Sequence, residues 1–121
     1  MRFNSMVAAS FVALALVLPV STAIAGAKAA EVTEAQIAAA RTPADHEAIA
    51  ASYDALAKEA DEMAANHESM AKAYGASIGQ KGGTQAMVSH CKRLVTEYRA
   101  AAKEYRSLAT EHRGMAKTAV K

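Results

Sequence analysis

The 121-residue chain contains no tryptophan, a single cysteine and only two prolines, and aromatic residues make up 5% of it. Each scarcity excludes something. One cysteine, Cys91, cannot close an internal disulfide, so its sulfur is free, bonded to another chain or bound to a ligand. Without a C-x-x-C-H run, covalent haem attachment is excluded. No nucleophile stands with a base and an orienting acid, and the glycines at Gly79, Gly82 and Gly83 lack the spacing of a phosphate loop, so no enzyme is expected. Charge of neither sign dominates. There are 14 Lys plus Arg against 12 Asp plus Glu, which argues against nucleic acid as a partner. With few large side chains and many alanines, a lone chain makes only a thin core.

The first 25 residues read as a secretory signal peptide. Arg2 gives the positive start, residues 6–18 form an apolar run broken only by Ser10, and Ala23-Ile24-Ala25 fits a small-residue cleavage site. The run is shorter than the roughly 20 residues of a membrane-spanning helix. The expected product is periplasmic or secreted, with no stable membrane anchor after cleavage. Its Lys plus Arg count falls by one, Arg2 being the only charge lost.

Residues 26–41 are small and weakly patterned and read as a mobile or short-helix lead-in. Thr33 and Gln36 resemble a capping box there. Thr42-Pro43-Ala44-Asp45 is a stronger helix start: a hydroxyl acceptor, a proline where its missing N–H costs nothing, and an acid near the positive end of the helix dipole. The pattern predicts one helix over 43–74, ended by Gly75, a glycine-rich turn, and a second helix over 84–119 capped by Thr84. Residues 42–121 thus form one all-α unit, an antiparallel two-helix hairpin.

The spacing of the larger residues predicts the packing seam. His46, Ile49, Tyr53, Leu56, Ala60, Met63, His67, Met70 and Tyr74 alternate steps of three and four, as do Met87, Cys91, Leu94, Tyr98, Ala101, Tyr105, Leu108, His112 and Met115. Off the seams, Lys58, Glu59, Asp61, Glu62, Lys103, Glu104 and Arg106 read as a solvated face. With the turn near Gly79, facing residues have numbers summing to about 158, which sets Tyr53 against Tyr105 and Ala60 against Tyr98. A hairpin covers only part of each seam, so a homodimeric four-helix bundle is expected, possible to bridge through Cys91.

The second half repeats the first at an ungapped offset of 45. His67-Glu68-Ser69-Met70-Ala71-Lys72 returns as His112-Arg113-Gly114-Met115-Ala116-Lys117, and His46, Ile49 and Tyr53 map onto Cys91, Leu94 and Tyr98. Antiparallel repeats bring the start of one against the end of the other. His46 is then expected near His112 and Met115, and Cys91 near His67 and Met70, with His90 and Met87 in reserve. Thiolate, thioether and imidazole together favour copper(I), with zinc a weaker fit and haem held by axial His and Met weaker still. The expected function is reversible binding of a soft metal, copper foremost, as a buffer or carrier. The competing expectation is an envelope structural or adaptor protein whose helical face binds a partner, its histidines and methionines serving as packing residues.

Overall fold

The computed structural model describes residues 28–79 and 84–119. The signal-peptide expectation and residues 80–83 of the glycine-rich turn lie outside them. The described residues form three helices, α1 (Glu34–Ala39), α2 (Pro43–Ala76) and α3 (Gln85–Thr118), and α2 packs against α3 as a helical hairpin. No helix among the described residues is long and apolar enough to cross a membrane.

The helix starts follow from their caps. Thr33 and Gln36 make a reciprocal capping box at α1. At α2 the Thr42 hydroxyl accepts from the Asp45 amide, and the Asp45 carboxylate accepts from the amides of Arg41 and Thr42 at 3.0 and 2.9 Å. Those amide bonds, with the Thr42 side chain, hold the Asp45 pKa down to about 2. Thr84 caps α3 by accepting from the Met87 amide. The end of α2 differs from expectation. Gly75 is helical, Ser77 is the C-cap, and the left-handed residue is Gly79, with φ 84°. The Ser77 amide donates back to the Ala73 and Tyr74 carbonyls, so α2 needs no glycine at its end.

The packing seam is rotated from the one the large residues predict. In heptad letters, position d is held by His46, Tyr53, Ala60, His67 and Tyr74 on α2, and by Cys91, Tyr98, Tyr105 and His112 on α3, as expected. Position a, however, is Ala50, Ala57, Ala64 and Ala71 facing Val88, Val95, Ala102, Ala109 and Ala116, all of them buried. Ala50, Ala102 and Ala109 have no exposed surface. The expected second rung falls at position g, beside the seam, where Leu56, Met63, Met70 and Leu94 are half-buried and Met87, Leu108 and Met115 exposed. Ile49 alone of that rung on α2 is buried, and it lines a groove with the α1 residues Gln36 and Ala39.

Two interactions explain the rotation. Alanines at all four buried a positions of α2, and at three of the five on α3, favour an approach of the backbones at the short end of the usual helix spacing. On the flank nearest them, position e carries acids on α2 and arginines on α3. Arg99 donates to Glu68 at 3.0 Å, Arg106 to Asp61, and Arg113 to Asp54, a ladder repeating every seven residues. Asp61 and Arg106, expected on the solvated face, therefore bridge the two helices. Each rung is about half exposed and contributes up to about 1 kcal/mol, so the ladder selects the register more than it supplies stability.

The alanine seam makes a direct prediction. Ala102→Leu should lower stability in urea denaturation by about 1–3 kcal/mol, because the added branch has no space. Leu108→Ala, on the exposed g edge, should change it by less than about 0.5 kcal/mol. The reverse order would mean that the large residues form the seam.

Candidate functional site

Along position d the two helices meet in a column of rings. At the end away from the turn, His46 and His112 have centroids 5.4 Å apart, and their Nδ1 atoms are separated by 3.2 Å. Tyr53 stacks against Tyr105 at 6.2 Å and packs on His112 at 5.8 Å. Nearer the turn, His67 stacks on Tyr98 at 5.6 Å, with planes only 10° apart. The pairs His46–His112 and Tyr53–Tyr105 both satisfy the register read from the sequence.

The geometry follows the internal repeat. An offset of 45 turns the Tyr53–His112 contact into the Tyr98–His67 contact, so a pseudo-twofold axis crosses the middle of the hairpin. It also passes through the Asp61–Arg106 bridge, whose partners are repeat mates. The same operation turns His46–His112 into Cys91–His67. By the repeat, the two ends of the column correspond, one with two imidazoles and the other with His67 and Cys91, while Tyr105 at the first corresponds to Ala60 at the second.

Each end has an unusual polar group. His112 is the one buried polar or charged residue of the described chain, 7% exposed. Burial lowers its pKa from 6.5, and the charge of His46 lowers it further. At 3.2 Å the neutral pair can share one N–H between its two Nδ1 atoms, whereas two protonated rings would repel. At the turn end, His67 Nδ1 is buried and has no hydrogen-bond partner. Buried ring nitrogens are ordinarily paired, so this one is open to a ligand. Cys91 is a free thiol, 3% exposed, seated in the seam. A bridge to a second chain would need that sulfur drawn out of the seam.

The thioethers stand differently. Met70 and Met115 lie at g, three residues beyond His67 and His112 and on the edge of the seam rather than within it; Met115 is 44% exposed. His90 projects from position c, exposed, with its Nδ1 3.4 Å from an Arg93 guanidinium nitrogen. Met87 is exposed at g. Among the described residues no three His, Cys, Asp or Glu side chains converge on one point, so any ion held at either end has few nitrogen, oxygen or thiolate ligands. The sequence reading did not identify Tyr53 and Tyr98 as the rings that pack on His112 and His67, although they are the d residues one heptad, about two turns, inward from His46 and Cys91.

Comparison with known protein families, with characterised proteins and with solved structures finds no match to this chain.

The histidine pair has a pH signature. His112 is less basic folded than at its ordinary 6.5, so the unfolded chain binds more protons as pH falls through that value. The contribution is fully present above pH 6.5 and is lost as pH drops toward and through the folded pKa. The urea midpoint of the wild type should therefore fall between pH 7.5 and pH 5. His112→Gln should flatten that fall, and an equally steep fall in the variant would remove His112 as its source.

Proposed function

We propose that the hairpin binds a soft metal ion, copper(I) foremost, at the two ends of its ring column. The observation that carries this reading is the 3.2 Å separation of His46 Nδ1 and His112 Nδ1. Two nitrogens bound to one ion at about 2.0–2.1 Å in tetrahedral geometry stand about 3.3 Å apart. The pair thus already stands close to the separation an ion requires, and a small opening and turn of the rings would aim both nitrogens at an ion in place of a shared proton.

The donor chemistry supports a soft ion of low coordination number. Imidazole, thiol and thioether suit copper(I) better than a hard cation, and a carboxylate cage of the kind calcium takes is missing from the column. His46 and His112 would form one site, with Met115 swinging in from its exposed edge as a third donor. His67 and Cys91 would form the other, with Met70 beside them. The depressed pKa of His112 keeps its ring neutral near pH 7, the form that binds a metal. The thiol must lose its proton on binding, so the turn-end site takes up its ion with proton release. Tyr53 and Tyr98 cover the imidazoles and restrict water. Binding of this kind is reversible and fits a buffer or carrier.

The test is a copper(I) competition titration of the mature chain against a chromogenic chelator under reducing conditions. Wild type should hold up to two ions, one more tightly. His67→Ala with Cys91→Ser should abolish the tighter one, and His46→Ala with His112→Ala the weaker. Failure of the wild type to compete, or an unchanged titration when all four residues are replaced, would overturn the proposal.

A further inference from the structure

Beside the ring column runs an edge with a different chemistry. Position g carries Leu56, Met63 and Met70 on α2 and Met87, Leu94, Leu108 and Met115 on α3; every methionine of the described residues is among them. Outside g lies position c, held on α3 by His90, Glu97, Glu104 and Glu111 and on α2 by Asp45 and Glu59 alternating with Ser52, Asn66 and Ala73. Every Lys and Arg of the two long helices falls elsewhere, at b, e or f. The two long helices therefore present an apolar, thioether-rich strip rimmed by three glutamates on α3 and by Asp45 and Glu59 on α2; their own cations lie on other faces, and Lys28 of the lead-in is the cation that lines the groove. The arginine ladder occupies the opposite edge.

The chain's own lead-in already answers that chemistry. Residues 28–32 lie along the strip, where the Ala29 amide donates to Glu59 at 3.1 Å, and Lys28 and Val32 line a groove of about 550 Å³ with Leu56 and Met63. A donor-bearing and apolar segment thus fits there, and the groove retains room beside it.

We propose that this edge docks a cationic amphipathic helix of a partner protein. Its apolar side chains would enter between the g residues, where unbranched methionines adapt to varied shapes. Its Lys or Arg residues would face Glu97, Glu104 and Glu111, which recur every seven residues, or about 10 Å along α3. Leu94 to Met115 spans about 32 Å, enough for a partner helix of about 20 residues. A second copy of the chain, the occupant expected from the sequence, brings the same glutamate rims together against a single cation of the strip, Lys28 of its lead-in, so charge disfavours it. An anionic membrane surface is disfavoured for the same reason.

The proposal is independent of metal binding and is tested on the mature chain without metal. The probe is a fluorescent Leu/Lys amphipathic peptide of about 18 residues, with a Leu/Glu peptide of the same pattern as its control. The Leu/Lys peptide should bind, more weakly at high salt, and the Leu/Glu peptide should not. Replacing Glu97, Glu104 and Glu111 together by Gln should weaken binding by roughly tenfold, as should Leu108→Asp, while Lys58→Gln with Lys103→Gln should not weaken it. Circular dichroism checks that each variant remains helical; the three glutamates are exposed, so their replacement leaves the fold intact. Equal binding of both peptides, full binding by the glutamine variant, a wild-type dimer that Leu108→Asp dissociates, or co-sedimentation with phosphatidylglycerol vesicles would each overturn the proposal.

Discussion

The close approach of two helices through alanine is the contact on which the rest of this molecule depends. Ala50, Ala57, Ala64 and Ala71 meet Val88, Val95, Ala102, Ala109 and Ala116, and all of them are buried. Side chains of this size bury little area each, so the seam gains from contact density and length rather than from large apolar groups. Small side chains at a also determine what happens at d. With the backbones drawn together, the d side chains must stack along the seam, and the result is the column of His46, His112, Tyr53, Tyr105, Tyr98 and His67. The 3.2 Å approach of two histidine nitrogens is a consequence of that spacing.

The second half repeats the first at an offset of 45, and differences between the halves at three heptad positions give the hairpin its two unlike edges. At e, the acids Asp54, Asp61 and Glu68 of the first repeat correspond to Arg99, Arg106 and Arg113 of the second. A faithful copy would have set carboxylate against carboxylate; the reversal of sign converts repulsion into a ladder. At d, His46 corresponds to Cys91 and Tyr105 to Ala60, which makes the two ends of the column chemically different. At c, Ser52 and Asn66 correspond to Glu97 and Glu111 and Asp45 to His90, so the acidic rim beside the methionine-rich strip is fuller on α3.

The helices and their register were legible in the sequence; the rotation about the helix axes was not. Thr42, Pro43, Asp45 and Thr84 announced the helix starts, and the expected facing of Tyr53 with Tyr105 is the pairing the structure contains. The rotation was missed because two sets of residues have the same three-and-four spacing with d in common. Weighting by size favours Leu56, Met63 and Leu94, but the set with Ala57, Ala64 and Val95 is the one buried. Two signals pointed to it: alanine at every seventh residue from Ala50 to Ala71, and opposite charges at e when the repeats are aligned. His46 and His112 could be paired from register alone. The unpartnered nitrogen of His67 and the placement of Met70 and Met115 beside the seam depend on side-chain directions that spacing does not encode.

X-ray absorption at the copper edge, on the chain loaded with copper(I), tests most directly whether the ring column is a metal site. The account predicts imidazole scattering from nitrogens at about 2.0 Å together with sulfur at about 2.3 Å. In Cys91→Ser the short sulfur contribution should fall while the imidazole pattern of His46 and His112 persists. A spectrum without imidazole scattering, or one that His46→Ala with His112→Ala leaves unchanged in the Cys91→Ser background, would contradict it.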